Sequence, residues 1–241
     1  MRNYLIIVEG AHDIALLEKL LQLNGVDEKI RNENSLPEVW KHTIPSFVKN
    51  SEVSVAIKNA SSDVEIMHVL QQTLHLMEFR EVDMLSGIML ICDADNLEAD
   101  KKIHKILAYR EEKEDFLLDE KAMELNVLVK KIPLYTFVFP DNNSKGNLEN
   151  LLLQTAEVEY PELLRLATEY VEKASEIYTE LKKEQKSKKA KVGCIANVMK
   201  PGKANQVSIS DDNWVSQRTL KECSMLQMLN KSLKEMIGEC V

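Results

Sequence analysis

Carboxylates follow two apolar, strand-like runs of the chain, residues 4–8 and 88–92. Open α/β sheets place their chemistry at the carboxyl ends of their strands, so we expect the carboxylates that follow these two runs to lie close together. Negative charges that converge in this way repel one another unless a hard divalent cation binds among them. The residues that this pattern singles out are Glu9, Asp13, Asp93 and Asp95.

The spacing of these acids suits oxygen ligation of metal ions. Asp93 and Asp95 are two residues apart, so their side chains would point the same way in an extended chain. Asp13 is expected on the first turn of a helix, directed back to the same edge of the sheet. Such a set predicts one or two Mg²⁺ or Mn²⁺ ions, which is the arrangement used in phosphodiester hydrolysis.

Lysines are concentrated between residues 182 and 203, where eight lysines stand against a single acid, Glu184. One interpretation is a solvated helix end and loop, and the other is a patch that contacts phosphates. A lysine near a scissile phosphate would offset negative charge in the transition state, and Lys189 and Lys191 are the candidates for this role.

Composition limits the class of protein. The 241 residues are 44% hydrophobic and 29% charged, which is typical of a folded globular protein. No apolar run approaches the roughly 20 residues of a membrane span, and the first strand turns acidic too early for a signal peptide, so a cytoplasmic protein is expected. The net charge of −8 argues against a surface that binds nucleic acid throughout but allows a local basic groove.

Strand-like and helical patterns alternate in the first part of the chain, which predicts an α/β fold with a largely parallel sheet flanked by helices. We expect a loop at 27–35, an exposed charged turn or loop at 110–124, and a short helix at 148–153. Beyond Pro161 the pattern is helical, with one long charged helix at 163–189 and a last amphipathic helix at 219–237. The expected division is a domain at 1–156 and a mainly helical C-terminal extension at 157–241.

The acidic motifs resemble those of the Toprim domain of topoisomerases, primases and OLD-type nucleases. The matching residues are Glu9-Gly10 with Asp13 after the first strand, and Asp93-Ala94-Asp95 after the later one. Residues Gly146-Asn147-Leu148-Glu149, after Phe139-Pro140-Asp141, and the basic Lys189-Ala190-Lys191 are similar to segments of small stand-alone Toprim proteins related to those nucleases. The resemblance covers roughly residues 3–155 and implies that Glu149 joins the metal-binding acids.

Each acid also has a purely structural interpretation. Asp13 and Asp95 could cap the helices that follow them, and Glu149 could be a first-turn acid favoured by the helix dipole. Ala94 and Asn96 replace the glycines and further acids expected near this motif in classical topoisomerases, which disfavours strand passage and primer synthesis.

The first functional hypothesis is a Mg²⁺- or Mn²⁺-dependent endonuclease that acts on DNA or RNA. A second is a Toprim effector subunit controlled by a separate ATPase partner, as in anti-phage or toxin-like systems, since the chain contains no GxxxxGK[ST] motif. A third is a non-catalytic, metal-binding or receiver-like α/β scaffold. The C-terminal helices are compatible either with a homodimer or with packing on the sheet.

Overall fold

The structure is a computed structural model that describes residues 1–29, 40, 46–110, 116–128 and 130–238. The described strands form one sheet. Their bounds are β1 (Arg2–Val8), β2 (Glu28–Lys29), β3 (Ser46–Lys49), β4 (Val53–Asn59), β5 (Leu85–Asp93), β6 (Phe116–Asp119), β7 (Glu124–Val127) and β8 (Lys130–Phe139). Residues 30–35 of the expected loop and residues 111–115 of the expected charged segment lie outside the described residues.

The sheet is mixed, with the order β2-β3-β4-β1-β5-β8-β7-β6. The four central strands, β4, β1, β5 and β8, are parallel to one another, as the sequence pattern predicts. Both edges are antiparallel, because β3 reverses against β4 and β7 reverses against β8. The α/β fold with a parallel centre is therefore confirmed, whereas the edges depart from it.

Helices cover both faces of the sheet. They are α1 (Ala11–Leu23), α2 (Ile66–Leu76), α3 (Phe79–Met84), α4 (Ala99–Leu107), α5 (Leu148–Glu159), α6 (Pro161–Ile177), α7 (Glu184–Met199), α8 (Asn205–Asp211), α9 (Gln217–Glu222) and α10 (Ser224–Ile237). β1 shows why the layers form: Tyr4 and Ile6 pack with α1 and the C-terminal helices, while Leu5 and Ile7 pack with α2 and α4. Parallel strands buried on both faces have this continuous apolar pattern.

The C-terminal helices share a core with the sheet. The predicted boundary at residue 156 lies inside α5, which extends to Glu159 instead of ending at residue 153. Leu229 and Leu233 of α10 belong to the same buried cluster as Ile6 of β1. The boundary is therefore no break in the core, because one face of the sheet needs these helices to cover it.

Three other predicted elements differ from the structure. The expected helix at 163–189 is two helices, since α6 ends at Ile177 and α7 begins after a 3-10 turn at Thr179–Lys182. This break allows α7 to fold back against α6 and α5, whereas one straight helix would leave the sheet. The last helix is likewise divided at Cys223 into α9 and α10. Part of the charged segment at 110–124 forms strand β6, because β7 offers it an antiparallel edge.

None of the described helices is both long and apolar enough to cross a membrane.

Candidate metal centre

The carboxyl ends of β1 and β5 are joined by a side chain. Glu9 follows the last residue of β1, and its Oε1 accepts a hydrogen bond of 2.9 Å from the backbone N–H of Asp93 at the end of β5. The strands themselves pair only as far as Ile7 and Leu90. Glu9 thus extends the connection between the two strands to the edge where the sequence predicts the site.

Asp93 is connected in turn to the start of helix α5. The backbone N–H of Leu148 donates to Asp93 Oδ1 at 2.9 Å. Gly146 allows the chain to reach this position, because it has a φ of +139° and an added Cβ would lie 2.7 Å from Asn150 Oδ1. The glycine of the Gly146-Asn147-Leu148-Glu149 segment is therefore required by backbone geometry.

Asp13 lies on the first turn of α1. Its Oδ2 accepts a hydrogen bond of 2.8 Å from the backbone N–H of Gly10, the residue before the helix. The structural interpretation of Asp13 as a capping residue is thus correct. Asp13 is also buried, with 7% of its surface exposed, and its side chain lines the same opening as Glu9 and Asp93.

These groups surround a cavity of about 340 Å³, which we call the carboxylate cavity. Four acids line it: Glu9, Asp13, Asp93 and Glu149. The other polar side chains that line it are His12, Ser61 and Lys189. The ends of β1 and β5 and the starts of α1 and α5 therefore bring four of the five predicted metal-binding acids together.

Burial raises the pKa of three acids of the cavity. Burial raises the pKa of Asp93 well above its ordinary value, and the negative charges of Asp13 and Glu9 raise it further. Burial also raises the pKa of Asp13, to about 7. The hydrogen bond from Gly10 lowers this pKa, and the negative charge of Glu9 raises it. The pKa of Glu9 is raised because burial outweighs the hydrogen bond from Asp93 and the positive charge of Lys102.

Asp95, the fifth predicted ligand, does not line the cavity. Its φ of +54° ends the extended conformation of β5, and its backbone pairs with Gly146. Its Oδ2 lies 3.1 Å from Lys102 Nζ, and its Oδ1 accepts a hydrogen bond of 3.2 Å from Gln185. The expectation that Asp93 and Asp95 face the same way fails, because the left-handed residue turns the chain before the second carboxylate.

The two candidate lysines are also separated. Both belong to α7, but Lys189 lines the carboxylate cavity and Lys191 does not. Burial lowers the pKa of the His12 imidazole against the opposing charge of Glu149, and the nearby positive charge of Lys189 lowers it further. Of the two, Lys189 is the one placed to contact a group bound in the cavity.

Lys102 is a site residue that the sequence interpretation missed. Its side chain is 2% exposed, and its Nζ lies 2.9 Å from Asp63 Oδ2 and 3.1 Å from Asp95 Oδ2. Burial alone would lower the pKa of Lys102, but the hydrogen bonds to the two aspartates raise it above its ordinary value. We call Lys102, Asp63 and Asp95 the Lys102 cluster; Glu9, which lines the cavity, is near enough to this cluster for all three charges to affect its pKa.

A sequence signal for this cluster exists. Lys102 occupies the apolar face of α4, three residues after Ala99 and four before Ile106, both of which are buried. A lysine at such a position needs a buried anion. Asp63 lies four residues after the end of strand β4, in a 3-10 turn at Asp63–Glu65.

The cavity fits a divalent cation by charge and donor chemistry. Its four carboxylates supply oxygen ligands of the kind that Mg²⁺ and Mn²⁺ prefer. Burial raises the pKa of Asp93 and Asp13, and the neighbouring acids raise it further, so a bound cation would favour their ionised forms. Within the part of the chain that the structure describes, no three His, Cys, Asp or Glu side chains form a ready-made metal site. The ligand set is therefore present, but its coordination geometry is not preformed.

A solved structure of another protein has a fold similar to that of this chain. The crystal structure of a hypothetical protein from Pyrococcus horikoshii is similar to this chain, with a TM-score of 0.56 and 18% sequence identity, over 97% of this chain and 100% of that chain. At this identity the similarity shows a shared fold. No curated protein matches the chain. The model of the family described as "Protein of unknown function (DUF3226)" matches residues 3–237, and the chain therefore belongs to the DUF3226 family.

Proposed function

We propose that the protein is a Mg²⁺- or Mn²⁺-dependent phosphodiesterase, an endonuclease that acts on DNA or RNA, with a Toprim-like active site. The observation that carries the proposal is the convergence of Glu9, Asp13, Asp93 and Glu149 on one cavity at the carboxyl ends of the central parallel strands. Several acids together at this edge of an open α/β sheet are typical of a cation site.

The residues that line the cavity would have two roles, cation binding and contact with the phosphate. Glu9, Asp13, Asp93 and Glu149 would hold the cation. When bound, Mg²⁺ or Mn²⁺ supplies Lewis-acid activation of water and stabilises the leaving oxygen. Lys189 would pair with an oxygen of the phosphate and offset its negative charge during cleavage.

The lysines of α7, beside the cavity, favour a polyanionic substrate. Helix α7 carries Lys186, Lys188, Lys189 and Lys191 in its first half, and Lys189 reaches the cavity from it. Of these, Lys188 forms an ion pair with Glu184 and Lys186 with Glu180. Such a local basic surface on a protein with a net charge of −8 would direct a nucleic acid backbone to one place.

The test is cleavage of supercoiled plasmid and of single-stranded RNA with Mg²⁺, with Mn²⁺ and with EDTA. We expect cleavage that needs a divalent cation, and a loss of at least about 100-fold in Glu9→Gln and Asp93→Asn, since one ligand of the charge-stabilising ion is removed. Glu162→Gln is the matched control, because Glu162 lies on α6 with a side chain that is 80% exposed. A folded wild-type protein that cleaves neither nucleic acid with either cation would refute the proposal.

A further inference from the structure

A lysine ammonium group lies between the carboxyl ends of two strands that flank β1. Lys102 Nζ contacts Asp63, which follows β4, and Asp95, which follows β5. The Lys102 side chain is 2% exposed, so the charge is held inside the protein. A buried ammonium is stable only when anions surround it, and here two carboxylates do so.

Each carboxylate oxygen of Asp95 already has a partner within the protein. Oδ2 pairs with Lys102, and Oδ1 accepts a hydrogen bond from Gln185 of α7. Asp63 Oδ2 is shared by Lys102 at 2.9 Å and Lys105 at 3.3 Å. A second metal ion would have to displace a buried ammonium from both acids, which would leave that ammonium without an anion.

We propose that the Lys102 ammonium takes the place of a second cation, so that the carboxylate cavity binds a single divalent ion and Asp95 is the charge partner of Lys102 instead of a metal ligand. The inference rests on the proposed function and specifies its metal stoichiometry. Lys102 is then a positioning residue: it keeps Asp63 and Asp95 neutralised by direct contact with both carboxylates.

The experiment is a Mn²⁺ titration of metal-stripped, full-length protein by calorimetry, with native mass spectrometry to count bound ions. We expect one Mn²⁺ per chain for the wild type. Lys102→Met is expected to bind two, because Asp63 and Asp95 lose their buried cation and become available as oxygen ligands. Lys105→Met is the matched control: Lys105 also contacts Asp63, but its side chain is 45% exposed, and the ratio should remain one.

A second variant covers the case in which Lys102→Met does not fold. Asp95→Asn keeps Lys102 and removes one carboxylate, and we expect one Mn²⁺ with an affinity within about twofold of the wild type. Two Mn²⁺ ions per wild-type chain, or loss of Mn²⁺ binding in Asp95→Asn, would overturn the inference and leave the proposed function standing. A folded Lys102→Met protein that still binds one ion would also overturn it. Absence of any Mn²⁺ binding in the wild type would refute the proposed function itself.

Discussion

Asp13 has two opposing effects on the stability of the fold. Its hydrogen bond to the Gly10 N–H stabilises the start of α1, while its buried charge adds to the repulsion within the carboxylate cavity. Burial dominates, which raises its pKa from 3.8 to about 7. The folded protein therefore holds a proton on Asp13 at pH values where the unfolded chain has released it.

This difference gives a testable pH dependence. A group whose pKa is higher in the folded state stabilises the fold below its unfolded pKa, and that stabilisation is lost as the pH rises toward the folded pKa. With EDTA present, the free energy of unfolding should fall as the pH rises from about 4 to about 7. For one such group, the decrease is about 1.4 kcal/mol for each pH unit in this range. Asp13→Asn cannot ionise and should reduce this slope, as measured by urea unfolding at several pH values.

Glu162→Gln serves as the control for this measurement, since Glu162 lies on α6 and does not line the carboxylate cavity. Saturating Mn²⁺ should also flatten the wild-type profile, because a bound cation compensates the carboxylates. An equal slope in the wild type and in Asp13→Asn would contradict the raised pKa of this residue.

The site could be predicted from the sequence only for residues that follow the regular patterns of strands and helices. Glu9, Asp13 and Asp93 were predictable because strand ends and a helix start place them, whereas Glu149 was expected only from the resemblance to Toprim proteins. Asp95 was not, since its placement depends on one left-handed backbone angle that the sequence of this loop does not specify. Lys102 was overlooked because lysines are ordinarily exposed, and only its position among apolar residues of α4 marks it as buried.

At the scale of elements, α7 connects the basic surface to the cavity. The helix packs against α5, and Lys188 Nζ donates to Asn150 Oδ1 on that helix at 3.2 Å. Periodicity indicated the helical character of this region but not the break at Thr179–Lys182. That break depends on which surface the second helix covers, which is a tertiary property, and it is the reason that Lys189 reaches the cavity.

Helix α7 provides a direct comparison of two lysines. Lys189 lines the cavity and Lys191 does not, although they are two residues apart. We expect Lys189→Gln to lower cleavage by about 10-fold or more, because it removes a charge next to the scissile phosphate. Lys191→Gln should affect the cleavage rate much less. At most, it should reduce the salt dependence of nucleic acid binding by the amount expected for the loss of about one phosphate contact. Cleavage rates and binding at several salt concentrations measure the two effects.

Equal effects of the two substitutions on cleavage would contradict the assignment of Lys189 to the cavity. A loss confined to binding in both variants would mean that the lysines only attract the substrate. Circular dichroism of each variant establishes that α7 is retained, since glutamine and lysine have similar helix propensities.

At the scale of the whole molecule, the order β4-β1-β5-β8 brings the site together. The chain leaves β1, completes β4 on one side, and then crosses to β5 on the other, so the ends of β1 and β5 form the crevice of the sheet. Alternation of strands and helices predicted the parallel centre. The antiparallel edges were not predicted, and packing of the C-terminal helices on the sheet was only one of two alternatives, because both depend on which surfaces remain to be covered after the central strands have formed.

The joint core leads to a prediction about cooperativity. Leu229 of α10 is fully buried in the cluster that contains Ile6 of β1. Leu229→Ala should therefore lower the free energy of unfolding of the whole chain by about 2–5 kcal/mol. Trp40 is a suitable reporter, since it is buried in the cluster on the opposite face of the sheet, and Trp214→Phe makes it the only tryptophan.

Urea unfolding of the Trp214→Phe protein, followed by Trp40 fluorescence, would compare Leu229→Ala with Met228→Ala. Met228 is the neighbouring residue on α10 and is 47% exposed, so its truncation should change the free energy of unfolding by less than about 0.5 kcal/mol. If the C-terminal helices formed an independent domain, Leu229→Ala would leave the Trp40 transition unchanged. A shift of that transition to lower urea would instead mean that the helices that carry Lys189 and the sheet that carries Glu9 and Asp93 fold as one unit, which is the condition for a site built from both.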